Sequence, residues 1–415
     1  MHTDDIIVGL DIGTTKIAAV IGKLDEKGQI NVVGVGHHPS QGLRRGVVID
    51  IRKTVQSIQK AVAQAELLSG YKVEEVYAGI AGDHIRSINS KGVVAVNGKD
   101  NIITEDDVER VINAAKAIAL PMDREILHVL PQEYIVDDQD GIKDPIGIAG
   151  TRLEAEVHIV TAAAASAQNI VNCIVEAGYD VADIVLEPYA SSLAVLSDDE
   201  RDLGVAIMDI GGGTTDIAMF YGGSIHFTSV IGLGGQHVTG DLSQGLRTTM
   251  YQAEEIKKKY GIAMESMLEE EELIKVDGIG GRAPREISRS VLAAIIEPRM
   301  EEMFSVALRE MERSSVFDMM GAGVVLSGGA SMLKGIEDLA ENILGMPVQV
   351  GIPKVDGGLV ETVRTPIYST AVGLIYYGLR YADEIDTPDT PGLQWVIKRL
   401  RKIVSNVWNK AGEMI

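Results

Sequence analysis

Apolar positions along this chain recur with two periods, and the switches between them predict its elements. Residues 6–12 and 17–21 are short apolar runs around a Gly-Thr-Thr turn, the pattern of a β-hairpin. Residues 50–69 carry apolar side chains at helical spacing and stop at Gly70. A strand is predicted at 73–80. Thr104 is a good N-cap for a helix reaching residue 120, with acidic residues 105–107 in its first turn and Pro121 beyond its end. The surrounding stretch 83–160 reads as mixed α/β, and its turn-rich end D-D-Q-D-G-I-K-D-P as a surface loop. A helix at 161–178, a strand at 183–186 and a short helix at 188–196 follow. The charged run 197–202 reads as a hinge before a new strand pair starting at Val205. The stretch 217–240 has no Asp, Glu, Lys or Arg, but its six Gly and two His make it strands and turns rather than a membrane span. Helices are predicted at 247–260 and 288–314, with the acidic run 269–272 between them as a solvated face. A strand at 324–326 leads through a Gly-rich turn into a helix ending near residue 344. The last core element is 366–381, and T-P-D-T-P-G at 387–392 is a linker.

The pattern repeats. D-I-G-T-T at 11–15 returns as D-I-G-G-G-T-T-D at 209–216, and each copy lies between apolar β runs. The spacing is close to half the chain, which predicts two related α/β halves facing each other across a cleft.

The repeated turn has a chemistry. A tight Gly turn between two strands aims successive backbone N–H groups at one point, an anion-binding nest. Gly13, Gly211, Gly212 and Gly213 permit the close approach of a phosphate. Thr14, Thr15, Thr214 and Thr215 add hydroxyl donors, and Lys16 reaches a terminal phosphate as a point charge. Asp11 and Asp209 end their strands beside the turns, placed to hold a hydrated Mg²⁺, which needs few carboxylates. One such turn is also compatible with an ordinary hairpin; two copies, one per half, are not a common coincidence. A third element, V-V-L-S-G-G-A-S at 324–331, brings Gly328, Gly329 and Ala330 to a turn and helix start suited to a phosphate or nucleoside. Neither a G-x-x-x-x-G-K-[ST] loop nor a strand followed by G-x-G-x-x-G is present.

These turns together resemble those of the actin/heat-shock-70/sugar-kinase ATPase superfamily. L-E-P-Y-A-S-S-L-A (186–194) and S-T-A-V-G-L (369–374) resemble its two connecting helices. The resemblance implies that Glu187 positions the attacking water; the bland alternative is a carboxylate capping the helix before Pro188. G-L-R-R-G-V-V-I-D (42–50), G-L-G-G-Q-H-V-T-G-D-L (232–242), A-E-E-I-K-K-K-Y-G (253–261) and G-G-R-A-P-R-E-I (280–287) narrow it to the bacterial cell-division actin homologues of the FtsA family. That resemblance covers essentially the whole chain. It implies an α/β, actin-like ATPase fold, with a first half at 1–83 and 161–198 and an inserted subdomain at 84–160. The second half falls at 199–224 and 310–383, and a nucleotide- and partner-binding subdomain at 225–309. It implies ATP binding with Mg²⁺ and weak hydrolysis, adenine near Glu254 and Lys257 beside Gly329, and polymerisation into an actin-like filament. It implies tethering of the ring protein FtsZ to the membrane, at the division septum, with recruitment of later division proteins. The acidic FtsZ tail would meet Arg282, Arg285, Arg289 and Arg299; pairing of these with Glu286, Glu297 or Glu301 is the alternative.

Charge changes the picture at one end. The 38 Lys/Arg and 60 Asp/Glu of the 415 residues leave a net −22, a poor match to nucleic acid. Both Trp residues, Trp395 and Trp408, nevertheless fall in a terminal segment with five Lys/Arg and one Glu. As a helix, 393–415 gathers Val396, Ile397, Leu400, Ile403, Val404, Val407 and Trp408 on one stripe. Lys398, Arg399, Arg401 and Lys402 occupy the rest, and four mid-helix cations forbid spanning. The segment is expected to lie in the interface of an anionic membrane, reached through the linker 384–392, with Trp395 off the stripe. Docking on the body or on a partner is the alternative. The single cysteine, Cys173, allows no intrachain disulfide and sits in an apolar run as a core thiol. The acidic start M-H-T-D-D-I-I runs directly into a strand pattern, unlike a secretory signal. A soluble small-molecule kinase of the same superfamily would share the cleft but has no use for the tail. A heat-shock-70-like chaperone would need a peptide-binding domain where only about 30 residues remain.

Overall fold

The computed structural model describes residues 6–25, 28–97, 99–268, 272–278 and 283–385. Arg282, the linker from 386 onward and the helix expected at 393–415, with Trp395, Trp408 and its cations, lie outside the described residues. So do 269–271 of the acidic run.

Two sheets share one topology. In the first, Ile6–Ile12 pairs antiparallel with Lys16–Leu24, which pairs antiparallel with Ile30–Pro39; on the other side Ile6–Ile12 pairs parallel with Glu75–Ile80, and that strand with Asp180–Leu186. The second repeats this order. Val205–Ile210 pairs antiparallel with Thr215–Tyr221 and that with Ser224–Ile231; Val324–Ser327 and then Val348–Val350 follow in parallel. Gly357–Gly358 crosses back to extend the first sheet beside Ile30–Pro39, tying the halves together. The central strands are apolar except for Asp11 and Asp209 near their ends, because both their faces are covered.

The helix Ile51–Ser69 covers the first sheet with Ile58, Ala61, Val62 and Ala65 on one face. Asp50 caps its start by accepting from the Lys53 N–H at 3.2 Å, and Gly70 ends it in the left-handed region. Between the halves run Glu187–Val195 and Ser369–Ile385. A side chain on Gly373 would collide with the Ala190 carbonyl, so these two helices cross nearly backbone to backbone.

An antiparallel sheet is inserted in the first half, in the order Arg86–Ala95, Arg152–Ala163, Arg124–Val136, Gln139–Ile142. The helix Glu105–Lys116 packs on it around a separate small core that includes Val111, Leu153 and Ile159. Among the described residues no helix is long and apolar enough to cross a membrane. Cys173 is buried, and burial pushes its thiol up to about 12.

Several predicted elements are corrected. The helix after Thr104 stops at Lys116, because Ile118 turns back onto the insert's core. The predicted surface loop holds the strand Gln139–Ile142, which folds back on Arg124–Val136 through a turn at Asp137 with φ 54°. Residues 161–163 end a strand rather than start a helix, since pairing with Arg124–Val136 runs through Ala163. The hinge at 197–202 is a short helix, Asp198–Leu203, capped by Ser197 with Glu200 answering from the first turn. The Gly-rich stretch hides a helix, Gly235–Gly245, held by Val238 and Leu242 in the core. The helix predicted from Arg247 starts at Met250, since Arg247 has φ 47° and Thr249 is the cap. After Val324–Ser327 comes a 3₁₀ turn, Gly329–Met332, and the α-helix begins only at Ile336.

Candidate functional site

The two repeated turns face each other. In the first, Ile12 pairs with Ile17, so residues 13–16 make the turn. In the second, Ile210 pairs with Thr215, and the Gly211 N–H donates to the Thr214 carbonyl at 3.0 Å. A side chain on Gly212 would collide with Thr15, and a Cβ on Gly213 would lie 2.7 Å from Thr14 Oγ1 and 3.0 Å from the Arg45 Cα. The motif 42–50 thus reaches the mouth of the cleft, where the Gly46 N–H donates to Thr14 Oγ1 at 3.1 Å. The Gly235 and Gln236 N–H groups donate to the carbonyls of Gly211 and Gly212 at 2.9 and 2.8 Å. Thr214 and Thr215 spend their hydroxyls inward, on Asp216 Oδ2 at 2.8 Å and the Leu233 carbonyl at 2.9 Å. The second loop's donors toward an anion are therefore its backbone N–H groups.

Below the turns four carboxylates gather. Asp11 is 7% exposed and meets Lys16 Nζ at 3.3 Å. Lys16 also donates to the Ile367 carbonyl at 2.6 Å and lies 4.8 Å from the Tyr368 ring centroid. Asp209 accepts from Ser191 Oγ at 2.7 Å and Thr370 Oγ1 at 3.2 Å, one hydroxyl from each connecting helix. Asp216 stands directly opposite Asp209 across the strand pair, a placement that like charges disfavour. Among the described residues its Oδ1 has no hydrogen-bond partner. Glu187 opens its helix with a partly exposed side chain.

The electrostatics follow from that crowding. Burial, and then repulsion from Asp11, Asp216 and Asp209, holds the Glu187 carboxyl well above the usual carboxylate range. Burial raises Asp209 to about 6 and Asp216 to about 7. Asp11 is raised by burial, with Lys16 pulling it back. This donor set suits a divalent cation. Among the described residues no three His, Cys, Asp or Glu side chains converge as a direct metal site.

Gly328, at φ 81°, ends a parallel neighbour of the Asp209 strand; a side chain there would strike Asp209 Oδ1. Gly329 and Ala330 follow in the 3₁₀ turn. Across from them Lys257 Nζ meets Glu254 Oε2 at 2.7 Å, the Gly235 carbonyl at 3.0 Å and Thr239 Oγ1 at 2.9 Å. A Cβ on Gly235 would lie 3.3 Å from Ala330 Cβ, so these residues share one wall.

The arginines do not form a free basic surface. Arg299 binds Asp241 at 2.6 Å and also Glu302; Arg289 donates to the Tyr260 carbonyl at 2.9 Å and pairs with Glu272 at 3.3 Å. Arg285 donates to the Leu246 carbonyl. None of these partners is among the three glutamates expected from the sequence. Asp216, Ser191 and Thr370 had no role assigned from sequence, although all three lie inside the quoted motifs.

Comparison with known proteins agrees with this geometry. Residues 206–373 match the family model described as cell division protein FtsA, and residues 82–161 match the SHS2 domain inserted in FtsA. The chain is 48% identical to the cell division protein FtsA of Pseudomonas aeruginosa over 92% of its own length and 91% of the relative's. It is 45% identical to that of Neisseria meningitidis over 96% and 97%. For Escherichia coli the identity is 38% over 95% and 96%. Among solved structures, the PilM–PilN type IV pilus biogenesis complex aligns at 18% identity with a TM-score of 0.64, covering 90% of this chain and 98% of that one. MreB5 of Spiroplasma citri bound to ADP aligns at 16% with a TM-score of 0.55, covering 92% and 99%. The fold is the actin-like ATPase fold expected from the sequence, and the kinase and chaperone alternatives fall away. On near full-length identity, the chain belongs to the FtsA family of bacterial cell-division proteins.

Proposed function

We propose that the cleft binds ATP with hydrated Mg²⁺, and that the bound state prepares an actin-like filament tethering the FtsZ ring to the membrane. The observation that carries this reading is the pair of opposed turns above the buried Asp11, Asp209 and Asp216 with Glu187 beside them. Backbone N–H groups of 13–16 and 211–214 would cradle the phosphates, with Lys16 freed from Asp11 toward the terminal one. The Lys257–Glu254–Gly235–Ala330 wall takes the nucleoside. Asp11 and Asp209 hold the hydrated ion, with Asp216 completing the negative wall. The ion would neutralise the charge shared by the phosphates and the carboxylates. Glu187, at the head of its connecting helix beside the other three carboxylates, positions the attacking water.

The tether itself is the segment 393–415, whose apolar stripe and cations suit an anionic bilayer; the protein would then be peripheral, at the septum, recruiting later division proteins. FtsZ's acidic tail would dock near Arg282, Arg285, Arg289 and Arg299, with Arg289 and Arg299 exchanging their present carboxylate partners. Two experiments test the reading. Asp209→Ala should lower ATP affinity by at least about tenfold, measured by fluorescent-nucleotide titration; wild-type affinity would refute the cleft assignment. Deleting 393–415 should leave that affinity intact and abolish co-sedimentation with vesicles containing anionic lipid. Undiminished sedimentation would remove the tether.

A further inference from the structure

One strand of the inserted sheet, Arg124–Val136, touches both halves of the body. His128 is 7% exposed and its Nε2 accepts from the Leu186 N–H at 3.0 Å. Leu186 ends the edge strand of the first sheet, paired on its inner side with Ile80. An edge N–H needs an acceptor from elsewhere, and the insert supplies it. The next residue is Glu187. The ring is fixed edge-on against Tyr189 and Tyr377, with centroids 5.8 and 6.2 Å away. Burial holds the imidazole down at about 4, so at neutral pH it is uncharged and Nε2 can accept.

Four residues along, Gln132 grips the other half. It is 4% exposed, its Nε2 donates to the Ile225 carbonyl at 3.0 Å, and its own carbonyl accepts from Ser224 Oγ at 2.9 Å. Ser224–Ile231 then runs into the 232–236 loop that hydrogen-bonds Gly211 and Gly212. Both grips lie at or beside breaks in the ladder with Arg152–Ala163: pairing skips from Glu133 to Pro131, leaving out Gln132, and from His128 to Ile126, leaving out Leu127 beside His128. A bulge re-aims a side chain out of the regular alternation, and Gln132 is the residue so placed.

We propose that His128 is a positioning residue for Glu187, and that the strand Arg124–Val136 is a strut fixing Glu187 relative to the 211–214 turn. This rests on the reading of Glu187 as the water-positioning carboxylate. A displacement of about 1 Å at such a group costs turnover rather than binding.

The test is ATP turnover under single-turnover conditions, beside nucleotide affinity, on the full chain. His128→Phe keeps the ring contacts and removes the acceptor. Turnover should fall about tenfold while affinity stays within about twofold of wild type. In a Glu187→Ala background the same change should cost nothing further. Gln132→Leu, which releases the strut at its other end, is the second variant should His128→Phe fail to fold; it should show a several-fold loss with the same dependence on Glu187. Unchanged turnover in the strut variants beside a slow Glu187→Ala overturns the proposal alone, as does an equal fractional loss in the Glu187→Ala background. Full turnover in Glu187→Ala itself overturns the catalytic reading, and the proposal with it.

Discussion

The cleft gathers Asp11, Glu187, Asp209 and Asp216 beside Lys16, whereas the joint between insert and body around His158 is held by neutral hydrogen-bonded pairs. His158, 1% exposed, has Asn89 Oδ1 at 2.6 Å from Nδ1 and Thr228 Oγ1 at 3.0 Å from Nε2. Ser87 Oγ and Asn89 Nδ2 donate to the carbonyls of Thr228 and His226, both at 3.1 Å. The pKa directions separate the two regions. The cleft's carboxyls are raised, because burial disfavours their charge and neighbouring carboxylates repel it; the interface histidines are lowered, His158 to about 3, because burial keeps them neutral. Under-compensated charge is the signature of a region built to receive a partner ion or ligand. Complete hydrogen bonding is the signature of a permanent joint.

The sharpest way to break this contrast is to wedge the cleft. Gly213→Val places branched carbon against Thr14 and the Arg45 backbone, holding the turns apart. Overpacking of this kind costs about 1–3 kcal/mol, so nucleotide affinity should drop by roughly tenfold to a hundredfold. Thermal stability without nucleotide should fall by no more than that strain, a few degrees of melting temperature, since no core contact is lost. A variant that melts early yet binds ATP normally would reverse the assignment of roles.

The contrast was only half legible in the sequence. The cleft's turns are contiguous, so 11–16 and 209–216 could be read as a repeat with its chemistry. Asp216 lies in the second copy, but its meaning depends on facing Asp209 across a strand pair, which sequence order does not reveal. Ser191 and Thr370 reach Asp209 only because two helices cross at Gly373. The interface left no local trace at all. His158 and Thr228 are 70 residues apart in the chain, and the bulge at Gln132 shows only in the pairing register. The helix Gly235–Gly245 was missed for a different reason. Its glycines have poor helix propensity, and tertiary packing of Val238 and Leu242 overrides it.

A smaller effect is expected at the joint. His158→Leu removes a partner from both Asn89 and Thr228 without creating charge. Leaving the buried Thr228 hydroxyl unmatched, while the exposed Asn89 amide turns to water, costs about 1–3 kcal/mol, felt first where the insert meets the body. Hydrogen exchange should therefore accelerate in Arg86–Ala95, Arg152–Ala163 and Ser224–Ile231, with the central strands Ile6–Ile12 and Val205–Ile210 protected as before. Uniform acceleration throughout would mean the joint is inseparable from the body's core.

The smallest effect is in the pH dependence of stability, where the two regions act with opposite signs. Unfolded Asp titrates near 3.8. With folded values of about 6 and about 7, Asp209 and Asp216 hold protons in the native state that the unfolded chain has already released. Their ionisation therefore costs stability as pH rises from about 4 to about 7, and the full cost is present above that. The histidines do the reverse. Unfolded His titrates near 6.5 and folded His128 and His158 at about 4 and about 3, so stability is lost as pH falls below 6.5. The nucleotide-free protein should be most stable in mildly acidic buffer and weaken as pH rises to about 7, by a few degrees of melting temperature, changing little above that. Asp216→Asn removes the later-titrating carboxylate and should flatten the alkaline limb alone, leaving the acid limb to the histidines. Melting curves between pH 5 and pH 8 decide it: an alkaline slope unchanged by Asp216→Asn would show that the facing pair Asp209–Asp216 is compensated after all, and that the cleft stores no unbalanced charge for a cation to relieve.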